Sequence, residues 1–349
     1  MHDVTAVTTR HAGSHVFGGR RTGHNPAVTT IGYHASHEQH TPSRLLRDVQ
    51  LAEEAGFQAV SSSDHFVPWS RSQGHSGYAW SWLGAAMHAT SLPFGVVSAP
   101  GQRYHPAVLA QAIATLGEMF PGRLSVALGS GEASNEHITG DRWPDKAARN
   151  ERLLECAQVI RALLAGEEVS RDGHIRVDRA KLWSLPPTAP ALFGAALSVE
   201  TARWCGGWAD GLITFHQPPE KVRAVIDAFR EGGGAGKTIR VQAKVSWAPT
   251  DEEALAAAYD QWRTNVFDSR VMADLEEVAH FEAAAIHVRP EDMHGSVLIS
   301  SDPGRFCGWL QEVIDVGVDE LILHQVAKEQ SAFIDLFATK VLPELRRGG

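Results

Sequence analysis

Cysteine is scarce: Cys156, Cys205 and Cys307 are the only three in 349 residues, far apart and without a C-x-x-C pair. That excludes a disulfide framework, leaves little room for a structural zinc site or a dithiol motif, and fits a reducing cytoplasm. Basic charge is also short. The formal net charge is −9, so neither nucleic acid nor an anionic membrane is an expected partner, since both call for a basic patch. No run approaches the ~18 unbroken apolar residues of a membrane-spanning helix. No G-x-G-x-x-G turn follows a strand-like run, which removes the usual dinucleotide signature. What is abundant is apolar surface, 43% of residues against 21% charged, enough for a large single core. The first 27 residues are rich in His, Gly, Thr and Arg and lack the apolar run of a signal peptide. They read as a mobile or loosely docked arm ahead of one domain over 28–346.

From Val28 the pattern turns regular. Val28–Ala35 reads as a strand, and Thr41-Pro42-Ser43 opens a helix with Thr41 as cap and Pro42 in the first turn. Leu45, Val49 and Ala52 give that helix one apolar stripe. Strand-like runs then recur at 59–63, 94–99, 123–129, 191–196, 212–215, 239–247 and 320–324, each trailed by a helical pattern. Residues 166–184 hold a hairpin turning at Asp172-Gly173, and residues 264–300 break the rhythm; both read as insertions. Eight buried-type strands alternating with helices predict a closed parallel barrel, with a doubly wound open sheet as the alternative.

Barrel active sites lie at the carboxyl ends of the strands. The second strand runs into Asp64-His65-Phe66-Val67-Pro68-Trp69, which presents a carboxylate, an imidazole and an indole in one loop. Imidazole titrates near neutral pH, so His65 is a candidate acid–base group; alone it reads equally well as a turn histidine bonded to Asp64. The fourth strand ends in Gly129-Ser130-Gly131-Glu132-Ala133-Ser134-Asn135-Glu136. Its glycines allow close ligand approach, and Glu132 and Asn135 fall where the barrel presents side chains inward; Asn135 could equally cap a turn. Asp64, His65 and Glu132 therefore converge on one proton-handling site. Arg103-Tyr104-His105-Pro106 follows the third strand, where it could bind substrate or simply start a helix. His34, His37 and His40 recur every third residue, a spacing that cannot aim all three at one metal from an extended segment; no metal site is expected.

Asp64-His65-Phe66-x-Pro68-Trp69, Ser81-Trp82, Arg103-Tyr104-x-Pro106 and Gly131-Glu132-Ala133-x-Asn135-Glu136 together resemble the luciferase-like flavin and deazaflavin superfamily. Within it they are most similar to the branch of F420-dependent glucose-6-phosphate dehydrogenases. The resemblance spans about residues 28–346 and implies a TIM (β/α)8 barrel with insertions and a homodimer. It implies proton transfer by His65 and Glu132, with Trp69 steadying the reacting species. It also implies a coenzyme held by Asp64, Ser130, Gly131 and Asn135, and a non-prolyl cis peptide at Val97-Ser98 against the coenzyme. Some positions depart from the branch. Its phosphate-binding cations fall here at Gln217, Ser269 and Ser296, so glucose 6-phosphate is a poor substrate. Ala196-Leu197 replaces a coenzyme-binding Gly-Gly, which resembles a subgroup that uses FMN in place of coenzyme F420.

The expectation is a flavin-dependent oxidoreductase moving hydride between FMN, or alternatively F420, and a small organic substrate. An F420-dependent dehydrogenase or reductase and a reduced-FMN monooxygenase are the alternative chemistries. A metal-dependent barrel hydrolase and a non-catalytic ligand-binding barrel are the alternative classes.

Overall fold

The apolar runs of the sequence become parallel strands that close on themselves. The computed structural model describes residues 29–347, so the N-terminal arm expected over 1–27 lies outside the described residues. Its strands in chain order are β1 (Thr30–Ala35), β2 (Ala59–Ser62), β3 (Phe94–Ser98), β4 (Leu124–Leu128), β5 (Val169–Asp172), β6 (Arg176–Ala180), β7 (Ala191–Ala195), β8 (Gly211–Phe215), β9 (Thr238–Trp247), β10 (Leu298–Ser300) and β11 (Glu320–Gln325). The order β9-β11-β1-β2-β3-β4-β7-β8, with β8 returning to pair β9, makes an eight-stranded closed barrel. Every pairing within it is parallel. Closure rules out the open doubly wound sheet. The hairpin expected at 166–184 is the antiparallel pair β5–β6.

Strand alternation divides the barrel into two environments. Ile31, Tyr33, Val60, Phe94, Val96, Leu124, Val126, Val241, Ala243, Leu321 and Leu323 face the surrounding helices and form the main hydrophobic core with them. The interior is polar by contrast. At its amino-terminal end Arg240 pairs with Glu320 at 2.6 Å, donates to Ser125 Oγ at 3.0 Å and lies over the Phe193 ring. A Cβ at position 95 would collide with that guanidinium, which is why glycine stands there. One layer up, Gln242 meets His324, whose Nε2 lies 2.8 Å from Gln39 Oε1.

The helices start where the capping residues predict. In α1 (Pro42–Glu54) Thr41 accepts from Arg44 N, and Leu45, Val49 and Ala52 are buried. Helix α2 (Ala79–Ala89) follows the loop after β2 and buries Trp80, Trp82, Leu83, Ala86 and Met87. The helix α3 (Pro106–Met119) is capped by His105. After the short α4 (Ala133–Glu136), α5 (Lys146–Leu164) starts at Lys146 because Asp145 caps it, accepting from Ala148 N at 2.9 Å. Then come α6 (Val199–Gly206), α7 (Pro219–Phe229) and α8 (Asp251–Trp262), the last with Thr250 accepting from Glu253 N.

Residues 264–300 are only partly an insertion. They form α9 (Ser269–Asp274) and α10 (Val278–Ala284), but Leu298–Ser300 adds β10 to the sheet. The reason is the length of β9. Its pairing with β8 ends at Gln242, and β10 takes up Val245, Ser246 and Trp247 beyond that point. Among the described residues no peptide bond is cis, so Val97-Ser98 is trans, against the expectation. A cis non-prolyl bond costs ~3 kcal/mol, and nothing here calls for one. With the bond trans, Ser98 stays in register with Leu128 of β4 and its hydroxyl still reaches Asp64. No helix among the described residues is long and apolar enough to cross a membrane.

Candidate active site

The carboxyl ends of β1, β2 and β4 bring three ionisable groups into line. His65, three residues past β2, places Nδ1 2.7 Å from Glu38 Oε1 and Nε2 3.8 Å from Glu132 Oε2. Burial lowers the basicity of this ring, but the two carboxylates, Glu38 foremost, outweigh it and push its pKa up to about 9. His65 is therefore an imidazolium at neutral pH. Glu38 is 3% exposed, and its second oxygen accepts from Ser36 Oγ at 2.7 Å and Ser63 Oγ at 2.9 Å. Burial alone would raise Glu38; the charge and hydrogen bond of His65, with Ser36, hold it well below the usual carboxylate range. Glu132 behaves in the opposite sense. Its pKa is raised, first by burial, and His65 offsets this only in part while Glu38 and Glu136 add to it. Two carboxylates flanking one imidazole thus differ in proton affinity, the arrangement that separates acid and base roles.

The sequence missed Glu38. It sits in the histidine-rich stretch after β1, where the spacing of His34, His37 and His40 drew the attention. The available signal was positional: the carboxyl end of the first barrel strand carries a glutamate, and Ser36 and Ser63 lie beside it in the fold.

Asp64 does not touch His65 as the turn reading required. It is 3% exposed and accepts from Trp80 Nε1 at 3.2 Å, Ser98 Oγ at 2.7 Å and Tyr104 OH at 2.9 Å. Arg103 adds an ion pair at 3.5 Å and donates to the Asp64 carbonyl at 2.8 Å. The carboxylate is thus committed to protein donors, and it ties β2 to β3 and α2 beneath the mouth. Arg103 also receives Glu136, whose Oε2 accepts from Arg103 N at 2.6 Å. The Arg103-Tyr104 pair is accordingly a brace under the site, and His105 and Pro106 start α3.

Asn135 is a clamp between the loops that follow β2 and β4. Its Oδ1 accepts from Phe66 N at 2.7 Å and Val67 N at 3.4 Å, and its Nδ2 donates to Glu132 Oε2 at 3.2 Å. It fixes the loop that carries His65 and orients Glu132 at once. Trp69 sets its ring edge-on to His65, centroids 5.0 Å apart, and is backed at 5.2 Å by Phe281 of α10. The 264–300 segment thereby closes one wall, with Phe281 fully buried.

The remaining predicted positions line the rim between β3, β4 and β7. Val97 packs on Ala127, Phe193 and Ile213 inside the barrel. Gly131 adopts φ +82°, and a Cβ there would press on Glu136 and Trp143. Lys146 Nζ donates to Ser130 Oγ at 2.8 Å. Ala196 is buried in the core, whereas Leu197 beside it is exposed. This rim offers a left-handed glycine, a hydroxyl and a lysine to a phosphate-bearing group, and the tryptophan and imidazolium lie further in. The residues fit an elongated ring coenzyme carrying phosphate. His34, His37 and His40 are buried in separate surroundings: His34 stacks on His324 and His37 on Trp82, and burial lowers all three pKa values. Among the described residues no group of three His, Cys, Asp or Glu side chains is placed to hold a metal.

The structure is thus a closed parallel barrel that holds an imidazolium between two unequal carboxylates at the carboxyl ends of its strands. The family model for luciferase-like monooxygenases matches residues 26–320. The chain belongs to that family and is an oxidoreductase. It is 34% identical over 327 residues to an F420-dependent glucose-6-phosphate dehydrogenase of Beutenbergia cavernae, covering 90% of this chain and 97% of that one. It is 35% identical over 328 residues to an F420-dependent hydroxymycolic acid dehydrogenase of Mycobacterium tuberculosis, covering 92% and 89%. An F420-dependent secondary alcohol dehydrogenase, solved with an F420-acetone adduct, superposes with a TM-score of 0.85 at 28% identity, covering 91% of this chain and 99% of that one.

Proposed function

We propose that this protein is an F420-dependent dehydrogenase or reductase acting on a small hydroxyl- or carbonyl-bearing organic substrate, with His65 as its proton donor and acceptor. The observation that carries the reading is the placement of His65, its Nδ1 on Glu38 and its Nε2 turned toward Glu132 and the barrel mouth. Relatives named for F420 dependence over nearly the whole chain favour the deazaflavin over the FMN suggested by Ala196-Leu197. The burial of Ala196 also leaves Leu197 as the only side chain of that pair exposed at the rim. Ser130, Gly131, Asn135 and Leu197 would border the coenzyme, together with Lys146, and Val97 and Ser98 would underlie it. A bound deazaflavin would supply the carbon that accepts or gives the hydride.

The chain's own residues supply the proton and the geometry. Glu38 fixes the His65 tautomer and keeps Nε2 as the working nitrogen. As an imidazolium, His65 donates a proton to a carbonyl oxygen as that carbon is reduced; once neutral, it takes the proton of a hydroxyl in the reverse sense. Glu132, with its raised pKa, sits on the open side and can carry that proton onward. Trp69, held in place from behind by the buried Phe281, walls the substrate in and excludes water from the ring face. The missing basic residues at Gln217, Ser269 and Ser296 argue against a sugar phosphate as substrate. A homodimer is part of this proposal, and light scattering in solution tests it.

Fluorescence titration of the purified protein with F420 and with FMN tests the coenzyme assignment. F420 binding with FMN at least about tenfold weaker, a difference of ~1.4 kcal/mol, is the expected result. The reverse order overturns it, and the FMN chemistry then stands in its place.

A further inference from the structure

Above the Arg240 and Gln242 layers, the alternation of β9 turns Lys244 toward the barrel interior, level with His324 on the neighbouring strand. The ammonium is largely enclosed. It lies 4.1 Å from the Phe215 ring centroid and 5.2 Å from that of Trp262. The other titratable groups bearing on this space are His34 of β1, His324 of β11 and His216 after β8, and burial holds each of them toward the neutral form. Among the described residues no carboxylate pairs with Lys244, and burial alone lowers its pKa to about 8. A half-desolvated cation is costly unless something of opposite charge completes it. Two aromatic faces offset part of that cost, but among the described residues no carboxylate neutralises the half-buried ammonium. Trp262 is edge-on to His324 at 5.0 Å, and His324 Nε2 lies 2.8 Å from Gln39 Oε1, next in sequence to Glu38, so Lys244 lies at the same end of the barrel as the Glu38–His65 pair.

We propose that Lys244 is the specificity residue of the site and receives a single carboxylate carried by the substrate, with Phe215 and Trp262 flanking the group that bears it. This rests on the reading of the mouth as a substrate site and adds the substrate's charge class to it. A monoanion matches one buried cation. A phosphate dianion would leave a charge uncompensated among neutral imidazoles, and Arg240, the nearest other cation on β9, is already committed to Glu320. The preference therefore runs to a carboxylic acid that also carries the alcohol or carbonyl on which His65 acts.

The full chain labelled with 13C at lysine Cε tests this, with benzoate, its neutral counterpart benzamide, and inorganic phosphate as probes. The Lys244 resonance is identified by its loss in Lys244→Met. The expected result is that benzoate moves the Lys244 titration upward by about one unit or more and that Lys244→Met weakens benzoate binding at least about tenfold. Benzamide binding should stay nearly unchanged, and phosphate should bind more weakly than benzoate. Benzoate that binds the variant as well as the unmodified protein, or that leaves the Lys244 signal unmoved, overturns the proposal. A Lys244 shift produced by F420 or FMN in place of benzoate also overturns it, because the anion then belongs to the coenzyme. If Lys244→Met does not fold, Lys244→Arg, which removes the same resonance and keeps the charge, identifies it, and the response of that resonance to benzoate decides. Coenzyme titrations are read separately: benzoate binding at Lys244 without coenzyme binding would sink the dehydrogenase reading and leave the carboxylate site standing.

Discussion

Replacing Glu38 by Gln removes the charge that holds His65 protonated while keeping the side-chain volume. The magnitude follows from the His65 pKa of about 9 against the 6.5 of an unperturbed imidazole. That displacement corresponds to ~3 kcal/mol of preference for the protonated ring. Because burial opposes it, the carboxylates must supply more than the net figure, and Glu38 at 2.7 Å supplies more than Glu132 at 3.8 Å. Without Glu38, burial is left against Glu132 alone, and the His65 pKa should fall by roughly two units or more. The assay is an NMR titration of 13Cε1-labelled histidine, with His65 assigned through His65→Gln. In the unmodified protein its midpoint should lie near 9; in Glu38→Gln it should lie at or below the ordinary imidazole range. The kinetics should move with it. Oxidation of a hydroxyl needs the neutral ring, so its rate should rise with pH up to about 9 in the unmodified protein and level off at much lower pH in the variant. A midpoint for His65 below 7 in the unmodified protein, or one above 8 that survives Glu38→Gln, would refute the electrostatic account of the site.

Acid should destabilise the protein through its interior histidines. Burial lowers His34 and His40 to about 4, and in the unfolded chain both return to the ordinary imidazole value. The unfolded state then binds the extra protons, so their contribution is complete above pH 6.5 and is lost as pH falls toward 4, by up to ~3 kcal/mol for each. His65 has the opposite sign: its contribution is complete below 6.5 and fades as pH rises toward 9. Urea unfolding at pH 7.5 and pH 5 should show the acid loss, and replacing His34 and His40 by Gln should flatten the slope; an unchanged slope contradicts the assignment. Asn135→Ala strands the Phe66 amide, which among the described residues donates to Asn135 Oδ1 alone, and should cost ~1–3 kcal/mol. Faster hydrogen exchange at Phe66 and Val67 than in the unmodified protein checks it. Phe281→Ala opens a cavity behind Trp69 at a cost of ~3–5 kcal/mol, read as a lower denaturation midpoint together with a changed Trp69 emission; a lower midpoint without that change would mean that Phe281 does not brace Trp69.

The barrel was legible because its signal is repeated. Eight apolar runs with trailing helices point to a parallel sheet of barrel size, the β8–β9 pairing decides for closure over the open sheet, and local chemistry such as Thr41-Pro42 or Thr250 sets the helix starts. What escaped depended on length or on burial. β10 exists because β9 outruns β8, a comparison of strand lengths that no local pattern of Leu298–Ser300 reveals. Asp64 and His65 are neighbours in sequence and looked like partners. Strand alternation sends them to opposite sides of the loop, Asp64 down onto Trp80, Ser98 and Tyr104, His65 across to Glu38 and Glu132.

Glu38 and Lys244 share a deeper reason for having been missed. Each is a charge whose meaning lies in what it lacks or finds across the barrel, and their separation in sequence carries no trace of that. Glu38 finds a cation, and the pair fixes His65 as an acid. Lys244 finds two aromatic rings and three imidazoles kept toward neutrality, and no anion. A buried carboxylate satisfied from within the protein belongs to the machinery that moves the proton. On the proposed reading, a half-buried ammonium with no carboxylate beside it among the described residues receives an anion that enters from outside. On that distinction the proposed reading divides the work between the two sides of the barrel: proton transfer on the β1–β2–β4 side, and selection of the substrate on the β8–β9 side.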